Sequence, residues 1–286
     1  AVIIPWAGMT LPDKTVEKIQ IGVFNVDEYV SHTETMKISA YDNMSKFDRK
    51  YDSTLSYPAS LLDIVKDACT KCGVTFGNSS FLNADYIVAS RPSDSDMTYR
   101  DIIAYAAQLA VCFARCDNTG VMWFGWYDMD RFYPDSGNTL DGGNFSSAPT
   151  DTVDGGNFSN SNTDILMGGV FRQGLPTPPE LSGINSCDLD DDDVRITGVQ
   201  LIPADDKKGT LIKGTKDYAI TIDKNPLAQS GLPQLVANIA YRLVDFQFRP
   251  MSAEALPNPA IEAGDVVYFT DAKGKKGNEV INNLIS

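Results

Sequence analysis

Between Asp135 and Asn162 the sequence loses all core periodicity and fills with Gly, Ser, Asn, Asp and Thr. Such a stretch cannot bury enough apolar surface to offset the entropy of a fixed backbone, so it reads as a long loop or linker. It divides the chain into two parts, each of which has to supply apolar faces of its own. Inside it the hexapeptide DGGNFS occurs twice, at Asp141–Ser146 and again thirteen positions on at Asp154–Ser159. Gly-Gly permits positive φ, and an Asp before it closes an Asx-turn. Phe145 and Phe158 are placed to pin each turn onto an apolar surface. Calcium-binding nonapeptide repeats have a period of nine, and a solenoid needs at least three stacked units. Two copies at thirteen meet neither condition, so structural turns are the expectation, with a sugar- or partner-contacting loop as the alternative.

The flanking parts carry clear patterns. Ile19–Val26 alternates around Gly22, and Thr33–Tyr41 alternates through Met36, Ile38 and Ala40, which predicts strands. Pro58-Ala59-Ser60 supplies a stop and an N-cap; Leu61, Leu62, Ile64, Val65, Ala68, Cys69 and Cys72 form one apolar stripe that Gly73 ends. Thr98 and Asp101 have capping-box spacing ahead of a helix that buries Ile102, Ile103, Ala106, Leu109 and Ala110. VCFARC (Val111–Cys116), the turn DNTG and VMWFGWY (Val121–Tyr127) predict a hairpin. Beyond the insertion, VRITGVQLI, GTLIKG and DYAITID read as a meander from Val194 to Asp223. A helix starting at Pro233 buries Leu235, Val236, Ile239, Ala240 and Leu243, and DVVYFT and NEVINNLIS flank a last turn. The class is α+β. The expected division is 1–134, a strand-rich start plus an α/β domain; 135–163, the insertion; and 164–286, a β-rich domain with one helix. Residues 1–40 are free to pack with that last part as a discontinuous domain.

Bulk properties exclude several function classes. A length of 286 residues suits about two domains and a real core. Net charge is −14, and the densest basic group is Lys273, Lys275 and Lys276 in a Gly-rich turn. Neither nucleic acid nor an anionic membrane surface is an expected partner of such a chain. No apolar run approaches the roughly 18 residues of a membrane helix. The opening AVIIPWAGM is broken by Pro5 and lacks a basic flank, so it does not read as a signal peptide. Five cysteines in this length are not a disulfide framework, and reduced synthesis inside a cell is expected.

Candidate chemistry is sparse. Cys69 and Cys72 form a CxxC that, with Cys112 and Cys116, has the composition of a zinc site. On a strand, however, Cys112 and Cys116 would stand about 13 Å apart, at roughly 3.3 Å per residue. Cys69 and Cys72 lie on an apolar stripe, where Cys packs as a small hydrophobe. The acid run Asp188, Asp190, Asp191, Asp192 and Asp193 lacks the Gly and closing Glu of an EF-hand loop and reads as a solvated loop. His32, the single histidine, follows Ser31 in sequence, which is not a catalytic arrangement. No GxSxG, HExxH or phosphate-binding loop occurs. A carboxylate pair for glycoside hydrolysis needs no local motif, and nothing singles one out. No catalytic, cofactor-binding or metal-ligating residue is therefore assigned. Trp123, Trp126, Tyr127, Phe132 and Tyr133 beside Gly-Asn-Ser loops leave a secreted or surface carbohydrate-binding or carbohydrate-active protein as the rival class.

Four stretches in order carry a resemblance: AYDNMSKFDRKY (Ala40–Tyr51), YPASLLDIV (Tyr57–Val65), TYRDIIAYAAQLAVCFARCDNTG (Thr98–Gly120) and PNPAIEAGDVVYF (Pro257–Phe269). Together they resemble the baseplate-hub or tail-tip proteins of phages and prophages of Gram-positive bacteria. The resemblance rests on core and turn residues, so it transfers a scaffold and no catalytic residue. It implies small β-barrel-like domains with inserted α/β segments and a homotrimer around the tail axis. The implied partners are the tube and the distal tip or spike, in a virion tail assembled in the host cytoplasm. It also implies that any cell-wall hydrolase domain would lie outside this chain.

Overall fold

The computed structural model describes residues 1–31, 35–92, 96–127, 180–181, 186–190, 192–205, 208–256, 258–259, 261–265 and 267–269. The DGGNFS repeats, His32, Phe132, Tyr133, Lys273, Lys275, Lys276 and the NEVINNLIS segment lie outside the described residues.

The chain opens with five strands: β1 (Val2–Ile3), β2 (Trp6–Thr10), β3 (Val16–Gln20), β4 (Phe24–Ser31) and β5 (Met36–Tyr41). β2 and β3 form an antiparallel ribbon. β4 pairs with β5 along its length and with β1 only at Phe24 and Asn25. The alternation through Ile19–Val26 is not one strand: β3 stops at Gln20 and β4 starts at Phe24. Gly22 sits in the break because the Phe24 ring lies where a Cβ would be, 2.6 Å from its Cε2.

Asp42 accepts a hydrogen bond from the Met44 N–H at 3.0 Å and starts a 3-10 turn, Asn43–Phe47. After a cis Tyr57-Pro58 bond come β6 (Ala59–Ser60) and α1 (Leu61–Cys72). The Ser60 hydroxyl caps α1 by accepting from the Asp63 N–H, and Gly73 ends it at φ 65°. Beyond β7 (Ile87–Val88) lies α2 (Tyr99–Ala110), opened by a full capping box in which Thr98 and Asp101 satisfy each other's backbone N–H. The hairpin that follows is β8 (Phe113–Cys116) and β9 (Met122–Gly125). It begins two residues later than the pattern predicts. Val111 is the left-handed cap of α2, at φ 51°, and Cys112 donates to the Ala110 carbonyl, so neither is in the strand.

In the second half β10 (Glu180–Leu181), β11 (Ser186–Leu189), β12 (Val194–Arg195), β13 (Gly198–Ile202), β14 (Leu211–Gly214) and β15 (Ala219–Asp223) precede α3 (Leu232–Leu243). β16 (Gln247–Phe248), β17 (Met251–Glu254) and β18 (Tyr268–Phe269) follow it. The expected meander is not formed. β13 is central, with β14 antiparallel on one side and β15 parallel on the other. After β14 the chain turns at Gly214, φ 84°, and crosses β13 to reach the far edge. The predicted strand VRITGVQLI is split as well, since β12 pairs with β16 and not within that sheet.

The fold is α+β: small two- and three-stranded sheets around three helices, with no closed barrel among the described residues. One hydrophobic core joins both halves. Leu61, Ile64, Tyr99, Ile102 and Leu109 pack in the same cluster as Leu201, Leu227, Leu235 and Ile239. Those on the helices and on β13 lie on the stripe side of their element, where the 3.6 and 2.0 periodicities bring them together, and Leu227 joins them from the connection between β15 and α3. A polar seam accompanies that core. Tyr86 Oη accepts from the Gln229 N–H at 2.9 Å, and Asn225 donates to the Tyr105 carbonyl at 2.9 Å. Glu262 accepts from Arg115 at 2.6 Å and from the Asn118 N–H at 2.7 Å, fixing the late segment on the hairpin.

Candidate interaction surface

The groups singled out for chemistry are placed as follows. Cys69 and Cys72 are buried on the inner face of α1, and burial pushes their thiols up to about 12 and about 11. Burial likewise holds Cys116 up at about 12 and raises Cys112, whose Sγ lies 3.9 Å from Arg242. Burial that raises a thiol in this way disfavours the thiolate, the form that acts as a nucleophile. Among the described residues no group of three or more His, Cys, Asp or Glu is arranged to hold a metal ion.

The acid run is less loop-like than expected. Asp188 lies within β11 opposite Ser252, and Asp193 accepts from Arg249 at 2.6 Å and from Gln247 at 2.5 Å. Hydrogen bonding from Arg249 holds the Asp193 carboxyl below the usual range. The three described aromatic residues behind the carbohydrate reading, Trp123, Trp126 and Tyr127, are also engaged. Trp126 packs 5.2 Å from Phe246 with the Arg242 guanidinium over its ring, Tyr127 stacks on Phe246, and Trp123 donates to Asp117 at 2.8 Å. Trp126 and Tyr127 join the hairpin to the end of α3 and are not an open sugar platform.

A different feature stands out, which the sequence pattern shows only in part. Among the described residues, none of the buried apolar ones comes from the first 46 positions. Of the eighteen exposed large hydrophobics among them, twelve lie in residues 1–41. On β4 a bulge at Asp27 shifts the register between Val26 and Glu28. The extra residue turns Tyr29 onto the same face as Val26. With Ala40, Ile38 and Met36 of β5 it makes one continuous apolar face, on which Tyr29 is 68% exposed and Met36 57% exposed. Opposite lie Glu28, Val30, Lys37 and Tyr41. The β2–β3 ribbon repeats the arrangement. Trp6, Gly8 and Lys18 line a concavity of about 480 Å³ on one face, and Met9 and Ile19 stand on the other.

The backbone edges are open too. Beyond Val26, no described strand lies along the second edge of β4, and β2 and β3 each pair on one side only. The segment is held to the rest by polar contacts. Gln20 donates to the Asn118 carbonyl at 2.7 Å, and Asn25 donates to Asn43 at 3.1 Å. Contiguous exposed apolar faces with open edges are surfaces that other chains cover. The alternation from Thr33 to Tyr41 announces an apolar face, but it cannot say that no element of the same chain covers it. No helix among the described residues is long and apolar enough to cross a membrane.

No family model and no curated protein matches this sequence. Among solved structures the chain is similar to the 43 kDa tail protein of prophage MuSo2 from Shewanella oneidensis, at 8% identity and a TM-score of 0.46. The match covers 91% of this chain and 73% of that one.

Proposed function

We propose that this chain is a structural component of a phage or prophage tail, at the baseplate hub or tail tip. It links the tail tube to the distal apparatus for host recognition and wall penetration. It acts by assembly and not by catalysis, with other tail proteins as partners and three copies around the tail axis. The barrel-like arrangement implied by the resemblance would then form between copies, from the small N-terminal sheets. The division at residues 135–163 is its proposed domain organisation.

The observation that carries this reading is the uncovered apolar face of β2–β5. Fully burying one such side chain contributes about 1.5–3 kcal/mol, so covering even part of this face favours association by several kcal/mol. Two of the aromatic residues that motivate the rival carbohydrate reading, Trp126 and Tyr127, are packed against Phe246.

Location tests the class. Antibody against this chain, used for immunogold electron microscopy on particles released from the induced source bacterium, should label the tip of tail-like particles. Label on the cell surface, with bare particles, sinks the proposal. Sedimentation velocity tests the surface. The intact chain should self-associate or bind tail partners, and replacing Tyr29 and Ile38 by Ser should abolish this without unfolding the core.

A further inference from the structure

A cavity of about 530 Å³ opens between the loop that carries Phe81–Ile87 and the first turns of α3. That volume is within the roughly 300–1,000 Å³ typical of small-molecule sites, and it lies where the two halves of the chain meet. Phe81, Ile87 and Leu235 give it an apolar lining. Its polar lining is ordered. Gln234 Nε2 donates to Asn238 Oδ1 at 2.7 Å, Asn238 Nδ2 donates to Asn83 Oδ1 at 2.7 Å, and Asn83 Nδ2 donates to the Leu109 carbonyl at 2.7 Å. This relay fixes three carboxamides in one orientation. Each carboxamide has two donors and an acceptor with two lone pairs, so the relay leaves Gln234 Oε1 and one N–H on each amide for another molecule. Asp85, exposed on the same cavity, adds a carboxylate that only accepts.

We propose that this cavity is a saccharide site, taking one or two neutral pyranose units. Fixed donors and acceptors side by side call for ligand groups that do both, and vicinal hydroxyls do. The apolar lining matches the C–H face of a sugar ring. Asp85 and the chain's net charge of −14 disfavour an anion, while the spare amide N–H donors disfavour a cation. The site does not depend on the assembly reading, because none of its residues belongs to β1–β5.

Saturation-transfer NMR on the full chain tests it. The probes are the methyl glycosides of glucose, galactose, rhamnose and N-acetylglucosamine, each at about 10 mM, a concentration that detects millimolar affinity. Transfer to at least one probe is expected. Asp85→Ala and Gln234→Ala, both at exposed positions, should each weaken it about tenfold with the melting temperature unchanged. Asp85→Asn, which keeps one acceptor oxygen, should fall between. Absence of transfer from all four probes overturns the proposal. Transfer that survives both alanine substitutions puts the sugar elsewhere and overturns it equally.

Discussion

The Asp117 carboxylate accepts from the Thr119 N–H at 2.9 Å, the Thr119 hydroxyl at 2.7 Å, the Val121 N–H at 3.0 Å and Trp123 Nε1 at 2.8 Å. Burial alone would raise its pKa, but these bonds outweigh it and hold the carboxyl below the usual range. A depressed folded pKa stabilises fully above the unfolded value of about 3.9, and that stability is lost as pH falls through the lower folded value. Asp117→Ala should therefore cost about 1–2 kcal/mol by urea unfolding at neutral pH. The gap to the unmutated chain should close once the pH drops below that folded value; a gap that persists there would mean the carboxylate charge is not what matters. The turn DNTG was legible because an Asp two residues before Thr and three before Gly is a local signal. The bond to Trp123 was not, since it depends on how β9 faces the turn. At the same scale, Cys69 and Cys72 should react with a thiol reagent far more slowly than exposed Cys187, as mass spectrometry of the native chain would record.

Helices and strands were legible to different degrees, for one physical reason. Both stripe-and-cap helices of the first half stand where Ser60, Gly73, Thr98 and Asp101 predict, because caps act within one turn. Thr98→Ala should cost about 1–2 kcal/mol, read as a shift in the urea midpoint with no change in slope. The start of β8 was placed two residues early because Val111 adopts positive φ, a conformation for which the sequence carries no Gly. α3 starts one residue before Pro233, with Gly231 as a cap that makes no side-chain bond. Strand partners were not legible, since pairing is set by contacts distant in sequence. The antiparallel β13–β14 pair depends on close backbone approach. At Gly198 a Cβ would meet the Thr215 carbonyl, and at Gly214 the Thr197 carbonyl. Gly214→Ala should accordingly destabilise by more than about 2 kcal/mol, through both strain at φ 84° and the clash. A near-neutral result would mean that β14 can shift away from β13.

For the whole molecule, the sequence indicated two apolar halves around an insertion, and the described residues share one core built from both. What no pattern within the chain could indicate is that β1–β5 stand outside that core. An alternating strand shows which face is apolar, and only the rest of the structure shows whether it is covered. The consequence concerns cooperativity. Amide exchange follows the least costly opening that exposes each N–H, and such openings range from near zero up to global unfolding. β2–β5 contribute no buried apolar residue and are joined to the rest by polar contacts such as Gln20 to Asn118. α1, α2 and α3 bury Ile64, Ile102 and Ile239 almost completely. Hydrogen-exchange mass spectrometry of the full chain should show residues 1–41 exchanging through a separate opening, several kcal/mol below that of the helices. In assembled particles the same amides should become protected, because a partner then covers the apolar face and its open edges. Equal protection of β2–β5 and the helices in the isolated chain would show that the N-terminal sheets unfold with the core, and would remove the uncovered face as the ground for assembly.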